Sequence, residues 1–211
     1  MTTIALIGAG NIGSQVARKA IQTGYDVVVS NSRAPETLAE LVAELGPRAS
    51  AAWAADAAAA GDLALVAIPF GRIGEIDPAP LAGKIVLDAN NYYFERDGRI
   101  ARLDDKTATT SGLLQEHLAG SRVAKAFNHI YSKHITTHGT PAGTPGRRAL
   151  ATASDHADAR DFAVRLYDEF GFDAVDLGPL SESWRVERDT PAYTAVEAAP
   201  QLRESIARAT R

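Results

Sequence analysis

Three glycines spaced Gly8-x-Gly10-x-x-Gly13, with Ala9, Asn11 and Ile12 between them, are the residues whose spacing speaks most directly of chemistry. In this pattern the first glycine permits a tight turn and the second lets the backbone approach a pyrophosphate. The third lets a helix pack closely, while unpaired amides at the helix start stabilise the anion. Context turns a weak pattern into a useful one: Ile4 to Ile7 reads as a buried strand before it, and Ile12, Val16, Ala17, Ala20 and Ile21 recur at helical spacing after it, over Asn11 to Thr23. A dinucleotide's ribose is usually held by an acid at the end of the next strand, but that strand ends Ser30-Asn31-Ser32-Arg33. The Ser32 hydroxyl and the Arg33 guanidinium suit a 2′-phosphate, so the cofactor expected is NADP(H).

Three further strand ends should meet at the nicotinamide: Ile68-Pro69-Phe70, Asp88-Ala89-Asn90-Asn91-Tyr92-Tyr93 and Ala126-Phe127-Asn128-His129. Pro69, Phe70, Asn90 and Ala126 are candidate cofactor contacts, with Phe70 as a wall of the site; simple packing is an equal alternative for Phe70 and Tyr93. Asn128 and His129 are the catalytic candidates, His129 as a donor of a hydrogen bond or proton, with a structural role as its alternative. His134 and His138 have the i, i+4 spacing of two metal ligands. However, no carboxylate lies in that segment and the chain has no Cys, so no metal is expected. Lys125 and Asn128 superficially resemble the lysine and asparagine of hydroxyacid dehydrogenases, but three residues apart on a strand they would point to opposite faces. Near the end, Glu187 and Arg188 beside Trp184 read as a charged helix, or as an anchor for the carboxy-terminal segment against the sheet or a second subunit.

Positioning these residues requires alternating strands and helices. Buried strands are read at Tyr25 to Ser30, Asp62 to Ile68, Lys84 to Asp88, Ser121 to Phe127, Arg148 to Ala153 and Phe172 to Leu177. Helices are read at Pro35 to Leu45, Trp53 to Ala60, Gly112 to Leu118 and Asp155 to Phe170, the last capped by Asp155. Asn90 to Thr107 reads as a functional loop, and Ser181 to Thr210 as mostly helical, interrupted at Pro191 and Pro200. The expected fold is α/β, a Rossmann-like doubly wound, mostly parallel sheet with additional carboxy-terminal helices. It forms a single domain with a dinucleotide-binding core over 1–130 and a strand-helix extension over 131–211.

At 211 residues and 45% hydrophobic, the chain is long enough for one such core. Its net charge of -4 offers no basic field for nucleic acid, which leaves a small-molecule redox acceptor as the expected partner. No stretch is apolar enough for a membrane span and the amino terminus has no basic leader, so a cytoplasmic protein is expected.

The glycine loop with Asn11, the Ser32-Arg33 pair, Ile68-Pro69, the Ser121 to His129 strand and Asp176-Leu-Gly-Pro-Leu-Ser181 together resemble the NADPH-dependent F420 reductases. The resemblance implies NADP bound by Ala9 to Ile12, by Ser32 and Arg33, and near Phe70, Asn90 and Ala126, often in a homodimer. It also implies hydride transfer to a flat acceptor such as coenzyme F420 or a flavin, which needs close parallel rings rather than an acid, a base or a metal. The alternatives are an NADPH-dependent imine or carbonyl reductase, which would need a proton from Tyr92, Tyr93 or His129, and a non-catalytic NADP(H)-binding redox sensor.

Overall fold

The computed structural model describes residues 1–211. The amino-terminal part runs β1 (Thr3–Ile7), α1 (Asn11–Gln22), β2 (Asp26–Ser30), α2 (Ala39–Leu45), β3 (Ala49–Ala51), α3 (Ala54–Ala60), β4 (Leu63–Val66) and β5 (Ile85–Asp88), with 3-10 turns at Pro35–Leu38, Phe70–Glu75 and Ala79–Leu81. Then follow α4 (Phe94–Asp97), α5 (Ala101–Asp104), α6 (Thr110–His117), β6 (Arg122–Lys125), α7 (His134–Thr137), β7 (Ala149–Ser154), α8 (Ala157–Phe170), β8 (Asp173–Asp176), a 3-10 turn at Leu180–Val186, and α9 (Ala199–Ala207).

One eight-stranded sheet carries all of this, in the order β3-β2-β1-β4-β5-β6-β7-β8. Strands β1 to β6 are parallel to one another, β7 runs antiparallel to β6, and β8 is parallel to β7. The strands are apolar because both faces are covered. Along β1, Ile4 and Leu6 point into a 26-residue cluster with α1 and α8, while Ala5 and Ile7 point into a 12-residue cluster on the other face. The order reverses between β1 and β4, and a crevice opens there at their carboxyl ends, where open α/β sheets take ligands.

Several boundaries differ from the sequence reading. Strand β3 is an addition: its three residues, Ala-Ser-Ala, have no strand-like pattern, and pairing with β2 defines it. The loop after β5 contains the single turns α4 and α5. Asp155 does not cap α8; the cap is His156, and the Asp155 carboxylate accepts from the Leu180 amide at 3.0 Å. The last thirty residues are less helical than expected, with 187–198 irregular except for one bridge from Ala198 to Arg148. Pro200 does not interrupt a helix: it sits in the first turn of α9, where a missing amide hydrogen costs nothing.

Candidate functional site

The glycine loop joins β1 to α1, and its three glycines are required for three different reasons. Gly8 has φ of +107°, and its amide, like that of Ala9, donates to the Ser30 carbonyl, closing the turn against β2. A Cβ at Gly13 would lie 1.9 Å from the Gly8 carbonyl oxygen, so α1 could not seat. Gly10, the helix N-cap, has φ of -77°, and a Cβ there would meet no protein atom within 4 Å. Neither conformation nor packing demands glycine at that position, which leaves close approach of a ligand. Since the first intrahelical bond runs from the Ser14 amide to the Gly10 carbonyl, the amides of Gly10, Asn11, Ile12 and Gly13 have no acceptor within the helix. The residues present therefore fit a dinucleotide pyrophosphate.

A first cavity of about 330 Å³ lies between the loops after β2 and β4. Gly8, Ala9 and Gly10 form one side, Asn31, Ser32 and Arg33 another, and Ile68, Pro69, Arg72 and Glu75 the third. Asn31 shapes its own loop: Oδ1 accepts from the Arg33 amide at 2.8 Å and Nδ2 donates to Thr37 at 3.0 Å. That turn leaves Ser32 and Arg33 exposed at the rim. No acid stands at the end of β2. Arg72 and Glu75, which sequence reasoning did not single out, enter the cavity from the neighbouring strand end.

A second cavity of about 680 Å³ continues from the first, sharing Ala67, Ile68 and Pro69. Asn11, Ile12, Asn90, Asn91, Asn128 and Tyr93 line it, together with Tyr131, Ser132, Tyr193 and Thr194 from the carboxy-terminal extension. Asn90 is tied to three strand ends: its Oδ1 accepts from the Ile68 amide, its amide donates to Asp88 Oδ1, and its carbonyl accepts from Lys125 Nζ at 2.6 Å. Asn128 donates to the Val186 carbonyl at 2.8 Å and to Asn91 Oδ1 at 3.2 Å, and Asn91 returns a bond to the Asn128 carbonyl. Asn90 Nδ2 and Asn128 Oδ1 are buried without protein partners. The hydroxyls of Tyr93 and Tyr193 hydrogen-bond to each other.

Other expected site residues fall elsewhere. His129 has no exposed surface: Nε2 accepts from the Ala151 amide at 2.8 Å, and Nδ1, which then carries the proton, faces the Ala192 carbonyl without a well-formed bond. Burial, and then the Arg148 charge, push its pKa down to about 4, so it is neutral and cannot reach a ligand. Phe70 is likewise wholly buried and walls nothing; Ile68 and Pro69 line the cavities in its place. Ala126 lies below the floor, its amide bonded to the Asp88 carbonyl. Tyr92 turns away and bonds Gly98 and Asp104.

Lys125 and Asn128 are separated for a reason other than strand alternation. Strand β6 ends at Lys125, and Phe127 takes a φ of 59° that turns Asn128 out to the cavity. Lys125 stays wholly buried on Asp88, Asn90 and Thr110. His134 and His138 stack with centroids 3.7 Å apart and both turn Nδ1 to Arg148 Nη1, at 3.0 and 3.3 Å. Partial burial and the Arg148 charge lower both their pKa values. Arg188 forks onto Glu95, and Glu187 bonds Thr110, so both fix the carboxy-terminal segment to the loop after β5 and to α6.

Residues 3–92 match the family model described as NADP oxidoreductase coenzyme F420-dependent. Over 64 residues the chain is 44% identical to a provisionally named protein YjhV of Escherichia coli (strain K12), a match spanning 30% of this chain and 47% of that relative, so about half its length. Among solved structures, the hypothetical protein SMa0349 of Sinorhizobium meliloti superposes with a TM-score of 0.78 at 28% identity, covering 92% of this chain and 94% of that one. A provisionally assigned F420-dependent NADP reductase of Arthrobacter sp. FB24 gives 0.74 at 22% identity, covering 87% of each. An imine reductase of Myxococcus stipitatus in complex with NAD+ gives 0.58 at 19% identity, covering 86% of this chain and 56% of the other. The last two likenesses establish the shared fold.

Proposed function

We propose that this chain, whose residues 3–92 match the model of the F420-dependent NADP oxidoreductases, is an NADPH-dependent oxidoreductase that delivers hydride to an acceptor held in the 680 Å³ cavity. The observation that carries this reading is continuity: Ala67 to Pro69 line both cavities, so one extended ligand can reach from Arg33 to Asn128. Bound there, NADPH supplies a hydride. The protein's own residues bind and orient. The amides of Gly10 to Gly13 take the pyrophosphate, Ser32 and Arg33 take the 2′-phosphate, and Asn90 fixes the floor on which the reactive end rests.

The acceptor in this reading is a flat heterocycle, coenzyme F420 or a flavin, for which placement alone suffices. A second reading, reduction of a carbonyl or imine, is favoured by the Tyr93 hydroxyl, a phenol in the acceptor cavity able to supply a proton. Anaerobic NADPH oxidation with F420, a free flavin and a panel of carbonyls and imines, with NADH as control donor, tests both. Turnover with F420 or flavin supports the first reading, and turnover with the panel alone supports the second. NADPH binding without any turnover overturns both in favour of a redox sensor.

A further inference from the structure

The first cavity holds a second guanidinium. Arg33 enters it from the loop after β2, and Arg72 enters from the turn Phe70–Glu75 after β4. Since β1 lies between β2 and β4, the two arginines stand on opposite flanks of the same crevice. Their present engagements differ. The Arg33 side chain has no ion-pair or hydrogen-bond partner, whereas Arg72 is forked onto Glu75, Nε to Oε1 at 2.9 Å and Nη2 to Oε2 at 2.6 Å. Glu75 lines the same cavity, so it is a carboxylate in a space otherwise suited to an anion.

Arg72 and Glu75 are both about half exposed, and water screens a pair of this kind strongly, so the fork is easily exchanged. The planar geometry that lets Arg72 grip a carboxylate with two parallel bonds grips a phosphate equally well, and a phosphate brings a larger charge. The 3-10 turn keeps Arg72 and Glu75 three residues apart on one edge, so the guanidinium need only rotate its side chain, without backbone motion, to leave one partner for another.

We infer that Arg72 is the second cationic contact for the 2′-phosphate of the dinucleotide, that Glu75 is its resting partner, and that competition between them sets how strongly the phosphorylated cofactor is preferred. This rests on the reading of the first cavity as an NADP(H) site. An unphosphorylated ribose leaves Arg72 on Glu75; a 2′-phosphate takes it and is then held from both flanks.

The test is isothermal titration with NADP+ and NAD+, which differ only in the 2′-phosphate, with thermal melts to confirm that each variant is folded. Arg72→Ala should weaken NADP+ about tenfold and leave NAD+ within about twofold. Glu75→Gln should tighten NADP+ by about threefold or more, and that gain should disappear when Arg72→Ala is also present, because the gain works through the freed guanidinium. Equal weakening of NADP+ and NAD+ by Arg72→Ala would mean stacking on the adenine and would overturn the assignment. So would a Glu75→Gln gain that persists without Arg72. A wild-type preference for NADP+ that Arg33→Ala abolishes and Arg72→Ala does not would overturn the role of Arg72 alone. No preference in the wild type would overturn the NADP(H) reading and Arg72 with it.

Discussion

Tyr93 and Tyr193 are one hundred residues apart in the chain and meet hydroxyl to hydroxyl inside the second cavity. The guanidinium carbons of Arg96 and Arg188 lie 4.9 and 5.1 Å from the centre of the Tyr93 ring. Burial, and then the neighbouring Tyr93, push the Tyr193 pKa well above its ordinary value. Tyr193 therefore keeps its proton and can donate a hydrogen bond to the Tyr93 oxygen. With a carbonyl or imine acceptor, Tyr93→Phe should lower kcat by about 100-fold or more while NADPH binding is unchanged. Steady-state rates alongside titration of NADPH check this, and full activity of Tyr93→Phe with every acceptor would confine the residue to packing.

The glycines should separate folding from binding. Gly13→Ala places a methyl 1.9 Å from the Gly8 carbonyl oxygen and should destabilise the protein by about 1–3 kcal/mol. Gly10→Ala meets no protein atom and should leave the thermal midpoint nearly unchanged, yet weaken NADPH by about tenfold or more. Paired melts and titrations distinguish the two; a Gly10→Ala variant that binds normally would remove the pyrophosphate from that position.

His129 should make stability depend on pH in a defined window. Its folded pKa, about 4, lies below the ordinary 6.5, so the unfolded chain binds the proton first as pH falls. The stabilisation is complete above pH 6.5 and is lost on acidification toward pH 4, in total about 3 kcal/mol. The lowered values of His134 and His138 act in the same direction. Urea unfolding at intervals across the window should show this decline, and His129→Gln should flatten it. An unchanged slope in that variant would assign the acid sensitivity to other groups.

Lys125 and Asp88 form a wholly buried ion pair at 3.2 Å beneath Asn90, and Ser111 also donates to the same carboxylate oxygen. Lys125→Met strands the Asp88 charge and should cost about 3–5 kcal/mol, whereas Lys125→Met with Asp88→Leu should recover part of the loss. Chemical denaturation of both variants tests this, and a double variant no more stable than the single would show that the surrounding hydroxyls need the carboxylate more than the ammonium does.

What the sequence discloses and what it conceals divide along physical lines. The glycine loop, β1, β2 and the Ser32-Arg33 turn are local: period, spacing and side-chain chemistry within thirty residues specify them, and the structure has them in place. Fold class was legible for the same reason, since each buried strand is a short apolar run. Burial was not. Phe70 and His129 occur at strand ends that do face the site, yet each side chain is wholly buried, His129 with its Nε2 on the Ala151 amide of β7. Tyr193 and Thr194 were hidden because no local pattern connects them to β5 or β6; only the irregular segment 187–198, crossing back to the His129 carbonyl, brings them there. Arg72 carries no local signal either; only the fold brings it into one cavity with Arg33.

The placing of the two cavities along the chain sets an order of assembly during synthesis. Everything that lines the first cavity is contained in residues 7–76, whereas the second cavity is closed by Tyr131, Ser132, Tyr193 and Thr194. A ribosome delivers these segments amino terminus first. The whole lining of the first cavity is thus translated before the wall that closes the second, so the second is still unbuilt when the residues of the first are all in place along the chain.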